Sequence, residues 1–355
     1  MHPPKVYGEQ LIEWYAGNAR DLPWRHTRDP YRIWLSEIIL QQTRVEQGLP
    51  YYYRFAERFP DVRSLAMAEE QDVLRLWQGL GYYTRGRNLH RCARHIVEHC
   101  NGRFPDTYDD LRKLPGIGPY TAAALASFAF DRTEPVVDGN VLRFLSRLYG
   151  ITQDIGLAAT RKKIADLAGE MMPRDRPGIF NQALMEFGAL NCTPRAPRCA
   201  NCVFSDSCRA FNDGMQDRLP VKSPAKYRRQ RYFHYLVFKA GPLTAMTPRG
   251  RGDIWTGLYE YFLIERDMAL SRKILIDQAK AFLPPEALIR EGDLIRSRPH
   301  LLSHQTIHPC FMEIDLDPGL ASADILPGFR FYSDGEIEQL PKPALIERYR
   351  LGKLI

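Results

Sequence analysis

Leu114 to Thr121 reads LPGIGPYT, a run whose glycines and prolines interrupt otherwise helical patterning. Upstream, Thr107 and Asp110 have the spacing of a helix cap, so a helix should run towards Leu114. Downstream, Pro119 suits the first turn of a second helix. Between them Gly116, Ile117 and Gly118 permit a tight turn with outward N–H groups. Such a turn at a helix start can hold a phosphate without reading a base. The expected element is a helical hairpin over 107–129. A glycine turn more often only joins two helices, so its use depends on what surrounds it.

Outward from the hairpin, residues 1–208 carry apolar side chains at three- and four-residue spacing, as at Val141, Phe144, Leu145 and Leu148, which reads as helix. Over 209–230 the pattern dissolves into a polar stretch with Pro220 and Pro224, an expected linker. Beyond it, Arg231–Phe238 and Leu258–Ile264 read as strands, 271–281 as helix and 307–315 as another strand. The second module, 231–355, is therefore expected to be α/β.

The chain has 355 residues, room for two domains of about 100–200 residues each. With 45% hydrophobic and 26% charged residues, disordered and fibrous classes are excluded. The longest nearly apolar stretch, Thr121 to Phe130, is about half of a membrane span. The start, MHPPKVYGEQ, has no apolar signal core, so an intracellular protein is expected. A net charge of +7 favours a polyanionic partner.

Four of the seven cysteines, Cys192, Cys199, Cys202 and Cys208, are separated by six, two and five residues. Without an export signal, that crowding points to metal ligation over disulfides. Four thiolates suit tetrahedral zinc, and equally a cubane iron–sulfur cluster, so residue chemistry leaves both open.

Two carboxylates stand out. Glu37 lies in a helical stretch beside Trp34, Leu35, Ile38 and Ile39. A carboxyl stripped of water there rises towards neutrality, as a general acid requires. The plainer reading is a buried Glu bonded to backbone or to an arginine. Asp138 precedes the helix of Val141 to Leu148. It suits an N-cap, a place that also favours the anion. One protonated and one ionised carboxyl suit glycosidic cleavage through an oxocarbenium-like state.

The cysteine spacing, following NQALMEFGALNC, and the string LPGIGPYTA together resemble the endonuclease III and MutY glycosylases of the helix–hairpin–helix superfamily over residues 5–208. The resemblance implies a 4Fe–4S cluster on the four cysteines and a monovalent cation or Ca²⁺ at the hairpin carbonyls. It implies that Glu37 protonates adenine N7, that Asp138 stabilises the cationic sugar, and that Asn140 positions the sugar and its phosphate. Endonuclease III-like relatives carry a lysine where this chain has Tyr120. A phenol cannot form a Schiff base, so a monofunctional enzyme is expected, with Tyr120 bonding near Glu37. Flipping the base out needs wedges, and the resemblance assigns Gln42 and Tyr82. Trp24, Arg25 and Gln182 are assigned to the adenine pocket.

The second module resembles the Nudix-like domain of the same enzymes, through IWTGLYEY from Ile254 and through Leu302, Ser303 and His304. Those three stand where the family has Phe-Ser-His, so recognition of 8-oxoguanine loses an aromatic contact. No Arg-Glu-x-x-Glu-Glu string is present, which implies binding without nucleotide hydrolysis. The expected fold is thus multidomain: an all-α helix–hairpin–helix glycosylase domain (1–208) with an iron–sulfur loop (192–208), a linker (209–230) and an α/β Nudix-like domain (231–355). The expected partner is double-stranded DNA with A:8-oxoguanine or A:G mispairs, bound by a monomer in the bacterial cytoplasm at the nucleoid, with no membrane. The alternatives are an endonuclease III-like pyrimidine glycosylase with lyase activity and a non-catalytic iron–sulfur DNA-binding protein.

Overall fold

The computed structural model describes residues 3–224, 227–284, 287–321 and 325–354. Residues 225–226 of the expected linker, and 1–2, 285–286, 322–324 and 355 of the expected domains, lie outside the described residues. Two units emerge: Met1–Ala68 with Arg87–Pro224, and Glu69–Gly86 with Ala225–Ile355.

The first unit is helical. It opens with α1 (Pro4–Asn18), α2 (Pro30–Leu40), α3 (Val45–Arg58) and α4 (Val62–Met67). The next helix, α5 (Glu70–Leu76), belongs to the second unit, and α6 (Thr84–His99) starts there and continues into the first. Then follow α7 (Tyr108–Lys113), α8 (Pro119–Phe130), α9 (Gly139–Tyr149), α10 (Ala158–Met171), α11 (Pro177–Leu190) and α12 (Arg209–Asn212). Thr107 caps α7 by accepting from the Asp110 N–H at 3.2 Å, and Pro119 opens α8. The hairpin thus forms as its sequence dictates.

The apolar stripe of α9 (Val141, Phe144, Leu145, Leu148) packs on Phe180, Leu184 and Phe187 of α11. A Cβ on Gly188 would lie 2.7 Å from the Asn140 carbonyl oxygen, so only glycine lets α11 approach the start of α9 so closely. Buried Asn181 accepts from the Val136 N–H and donates to Ser127 Oγ and to the Glu134 carbonyl. Those bonds pin the segment that leads into Asp138.

Two boundaries differ from expectation. Residues 209–224 do not form a free connector. Arg147 Nε donates to the Leu219 carbonyl, the Ile155 N–H to the Val221 carbonyl, and the Ser223 N–H to Asp154. The polar composition that reads as linker is here backbone satisfied by the helical unit instead of by water. Conversely, residues 69–86, helical in pattern, group with the second unit, where the Tyr83 hydroxyl donates to the Lys342 carbonyl at 3.0 Å.

The second unit holds β1 (Arg229–Ala240), β2 (Leu243–Pro248), β3 (Tyr259–Glu260), β4 (Phe262–Arg266), α13 (Arg272–Phe282) and β5 (Ile289–Arg296). It continues with β6 (His300–Leu301), β7 (Gln305–Leu316), β8 (Arg330–Ser333), α14 (Asp334–Gln339) and α15 (Ala344–Arg350). The sheet runs β3-β2-β1-β7-β5, with β4 on β1, β6 on β7 and β8 on β2. Strands β1 and β7 are parallel, from Arg229↔Gln305 to Ala240↔Leu316, and the other pairs are antiparallel. One core holds Leu275 and Ala279 of α13, and another holds Leu345 and Ile346 of α15. This is a mixed sheet packed with helices, as the α/β patterning predicts. The expected single strand Leu258–Ile264 breaks at buried Tyr261, because the chain changes partner there from β2 to β1. No helix among the described residues is long and apolar enough to cross a membrane.

Candidate active site

Helices α2, α8, α9 and α11 of the first unit wall a cleft of about 940 Å³. Glu37, Tyr120, Asp138 and Asn140 all line it. So do Trp24, Arg25, Gln182 and Gln42, with Gly116 and Gly118 of the hairpin. Ile117 departs from the expected phosphate turn: its side chain is buried and its N–H is spent on the Leu114 carbonyl at 3.2 Å. At Gly116, φ is +78° and a Cβ would sit 2.7 Å from that of Asn88, so the turn requires glycine there.

Glu37 is buried because α2 is apolar on the sides flanking it. The Tyr120 hydroxyl donates to its Oε2 at 2.6 Å. Burial pushes Glu37 up to about 7; the Tyr120 bond and Arg25 pull it down, while the Asp138 charge adds to the rise. Burial, then Glu37 and Asp138, hold the Tyr120 phenol well above its ordinary range, so it stays a donor.

Asp138 caps α9 as expected, its Oδ1 accepting from the Val141 N–H at 2.8 Å and its Oδ2 from Asn140 Nδ2 at 2.7 Å. The expectation that the helix start alone would hold it ionised is too simple. Burial outweighs the cap bonds and moves its pKa upward. Both carboxyls therefore resist ionising in one cleft. The bonds decide which keeps the proton. Both Asp138 oxygens already accept, whereas Glu37 has an oxygen with no hydrogen bond among the described residues. A proton belongs on Glu37.

Arg25 reaches the cleft by a fixed route. Glu186 of α11 accepts from Arg25 Nη1 at 3.0 Å and Nη2 at 2.7 Å, and from Arg20 Nε at 2.9 Å and Nη2 at 2.7 Å. Burial alone would raise Glu186, but the two arginines pull it down to about 2. Trp24, buried, meets Tyr52 edge-on at 5.1 Å. Tyr15 of α1 donates to Gln182 Oε1 at 2.8 Å.

Gln42 has φ +58° and is exposed; Tyr82, in the second unit, has φ +47° and is 48% exposed. Residues other than glycine seldom adopt that region, and such strain collects at functional sites. Both expected wedges share it.

The helical fold has counterparts among known proteins. Residues 35–170 match the family model of the HhH-GPD superfamily of base excision DNA repair proteins. An adenine DNA glycosylase of Rattus norvegicus is 33% identical over 92% of this chain and 73% of its own length. One from Buchnera aphidicola subsp. Schizaphis graminum is 36% identical over 72% of this chain and 74% of its own. The chain belongs to the adenine DNA glycosylase family. A thermostable thymine-DNA glycosylase aligns with TM-score 0.54 and 28% identity, over 59% of this chain and 97% of its own. An endonuclease III in a non-covalent DNA complex aligns with TM-score 0.52 and 21% identity, over 61% of this chain and all of that one, a likeness of fold alone.

In this glycosylase, Cys192, Cys199, Cys202 and Cys208 line one small cavity behind α9 and α11. No three His, Cys, Asp or Glu among the described residues close around a single metal-ion position. Cys192 Sγ accepts from Arg147 Nη1, and Cys202 Sγ from the Phe204 N–H, both at 3.4 Å. Arg143 joins this loop to the carboxylates: it donates to the Cys192 and Gly188 carbonyls and to Asn140 Oδ1, while Asn140 donates to Asp138.

Ser303 and His304 of the second unit are exposed, and Ser303 Oγ lies 3.0 Å from His304 Nδ1. Leu302, like Ile254 and Trp255, packs against the core of Phe233, Tyr235 and Phe311. Glu186, Arg20, Tyr15, Arg143, Arg161 and Lys222 join the site without any sequence signal of their own. Each is an ordinary residue of a helix or loop until its distant partner is known.

Proposed function

We propose that this chain hydrolyses the N-glycosidic bond of adenine mispaired with 8-oxoguanine or guanine in double-stranded DNA, and does so without cutting the strand. The reading is carried by one observation: a buried carboxyl and a half-buried one share a cleft, with Glu37 raised to about 7 and Asp138 committed as a hydrogen-bond acceptor on both oxygens. Glu37 gives its proton to N7 of the flipped adenine, and the base leaves more readily. Asp138 faces the sugar cation that develops, and Asn140, steered by Arg143, holds Asp138 in place. Water attack leaves an abasic site. Tyr120 offers no amine, which supports a monofunctional reaction over lyase chemistry. Gln42 and Tyr82 fill the gap in the duplex, and Trp24, Arg25 and Gln182 hold the base.

The four cysteines line one cavity and are the proposed seat of a 4Fe–4S cluster, as the resemblance to the endonuclease III and MutY glycosylases implies; four thiolates satisfy such a cluster. Bound there, a cluster would tie the loop at four points and fix the carbonyl of Cys192 that Arg143 uses. The hairpin carbonyls are the proposed seat of a monovalent cation or Ca²⁺. The second unit is proposed to be Nudix-like, reading 8-oxoguanine through Ser303 and His304, with Leu302 as their support. A monomer acting in the cytoplasm on nucleoid DNA completes the proposal.

Single-turnover assays on A:8-oxoguanine duplexes test this. The wild type should release adenine, Glu37→Gln and Asp138→Asn should do so slower by about 10²-fold or more, and borohydride should trap no efficient adduct. Equal product from all three proteins, or a high yield of adduct, would overturn the proposal.

A further inference from the structure

We infer that Tyr15 sets which purine the pocket accepts, by fixing which way round the Gln182 carboxamide lies; the inference rests on the adenine excision proposed above. A carboxamide presents a donor end and an acceptor end, and a half-turn exchanges them. In the structure the Tyr15 hydroxyl donates to Gln182 Oε1 at 2.8 Å. Gln182 Nε2 makes no hydrogen bond among the described residues, and Gln182 lines the cleft. The acceptor end is thus held from behind, with one lone pair left over, and the donor end is free for a ligand.

Tyr15 is itself held in role. Its guanidinium neighbour Arg25 lies 5.5 Å from the ring centroid, and Arg25 is clamped by Glu186. Burial raises the Tyr15 pKa, so the phenol keeps the proton it donates. A phenol donates better than it accepts, and turning the amide over would exchange a strong bond to Oε1 for a weaker one from Nε2.

The orientation matters because purines differ in this pattern. Adenine has an amino donor at C6 flanked by ring acceptors, which fits an amide oxygen beside an amide N–H. Hypoxanthine has an oxo acceptor at C6 and a donor at N1, which fits only the reversed amide. Tyr15 is therefore a positioning residue: it makes the pocket read the amino group and refuse the oxo group.

The test uses the full chain with single-turnover rates on adenine and on hypoxanthine, each opposite 8-oxoguanine. In Tyr15→Phe the adenine rate should fall and the hypoxanthine rate hold or rise, so that their ratio drops by about fivefold, the worth of one ordinary hydrogen bond. Gln182→Glu supplies the control, since its two oxygens are equivalent and a half-turn changes nothing. Adding Tyr15→Phe to that variant should leave its ratio unchanged. An equal loss on both bases in Tyr15→Phe, or the same drop in the Gln182→Glu background, would overturn the inference. If the wild type releases no adenine, the function fails and this inference with it; if it does and the ratio stays put, only the role of Tyr15 fails.

Discussion

Glu37 and Glu186 are both buried glutamates lining one cleft, yet they sit at opposite ends of the carboxyl range. Glu186 is 1% exposed and lies near 2; Glu37 is 7% exposed and lies near 7. Burial raises both, so it cannot by itself send one down and the other up. Four N–H donors from two guanidiniums converge on Glu186, whereas one neutral hydroxyl serves Glu37. The partner sets the charge: desolvation raises both carboxyls, yet the arginines make Glu186 a fixed anion while Glu37 stays a proton reservoir in the same cleft. The anion then works for the reservoir, because Glu186 restrains Arg25, which draws on both Glu37 and the base pocket.

The largest effect should come from breaking the proton side. Glu37→Gln should lower the single-turnover rate by about 10²- to 10⁴-fold, the usual worth of a general acid. In the wild type the rate should fall as pH rises through about 7, where Glu37 loses its proton. A variant whose residual activity keeps that limb would assign the titration to another group.

Next comes the anion side. Glu186→Gln leaves two arginines facing a neutral amide and should cost about 1–3 kcal/mol of stability at neutral pH, read by urea unfolding. The sign follows from the lowered pKa. The folded state holds Glu186 ionised, so its contribution is present above the unfolded value, about 4.3, and is lost as pH falls towards 2. The difference between wild type and variant should shrink over that window, and a difference that grows with acid would contradict the clamp.

The first glutamate should behave in the opposite sense. Glu37 binds a proton more tightly folded than unfolded, so it destabilises the fold as pH rises from about 4.3 to about 7. Glu37→Gln should therefore be more stable than the wild type at pH 8, by about 3–4 kcal/mol, and lose that advantage near pH 4. Thermal unfolding at the two pH values reads it. One substitution type, made at two buried glutamates of one cleft, should thus move stability in opposite directions.

Much of this contrast is legible in the amino-acid sequence, and the illegible part has a common cause. Glu37 announces itself through Trp34, Leu35, Ile38 and Ile39, neighbours within one helix turn. The hairpin and the Asp138 cap are local too, since each is decided within about five residues. Glu186 does not announce itself, because Arg20 and Arg25 lie 166 and 161 positions away and only tertiary packing delivers them. The same holds for Tyr15 and Gln182, 167 apart. The expected linker differs from the observed one for a related reason. Polar composition shows that a segment lacks a core face, but not whether its backbone finds partners, as Val221 and Ser223 do on Ile155 and Asp154. Local chemistry is written in the string; charge compensation over distance is not.

That docked segment supplies the smallest prediction, and it separates the rim of the cleft from its interior. Lys222 is exposed and lines the cleft with Arg161, whose Nε donates to the Ile155 carbonyl at 2.8 Å. Neither makes an ion pair among the described residues. The bonds of Val221 and Ser223 hold Lys222 in place from both sides. The Lys222 charge, felt by Asp154 but in no salt bridge among the described residues, stays available to a phosphate, whose arrival releases a counterion. Lys222→Ala and Arg161→Ala should each lower the slope of log affinity against log salt by about 0.9. Glu37→Gln, too deep to meet a phosphate, should leave that slope where it is. If the rim variants keep the wild-type slope, the DNA backbone does not pass over this edge, and residues 219–223 serve only to close the helical unit.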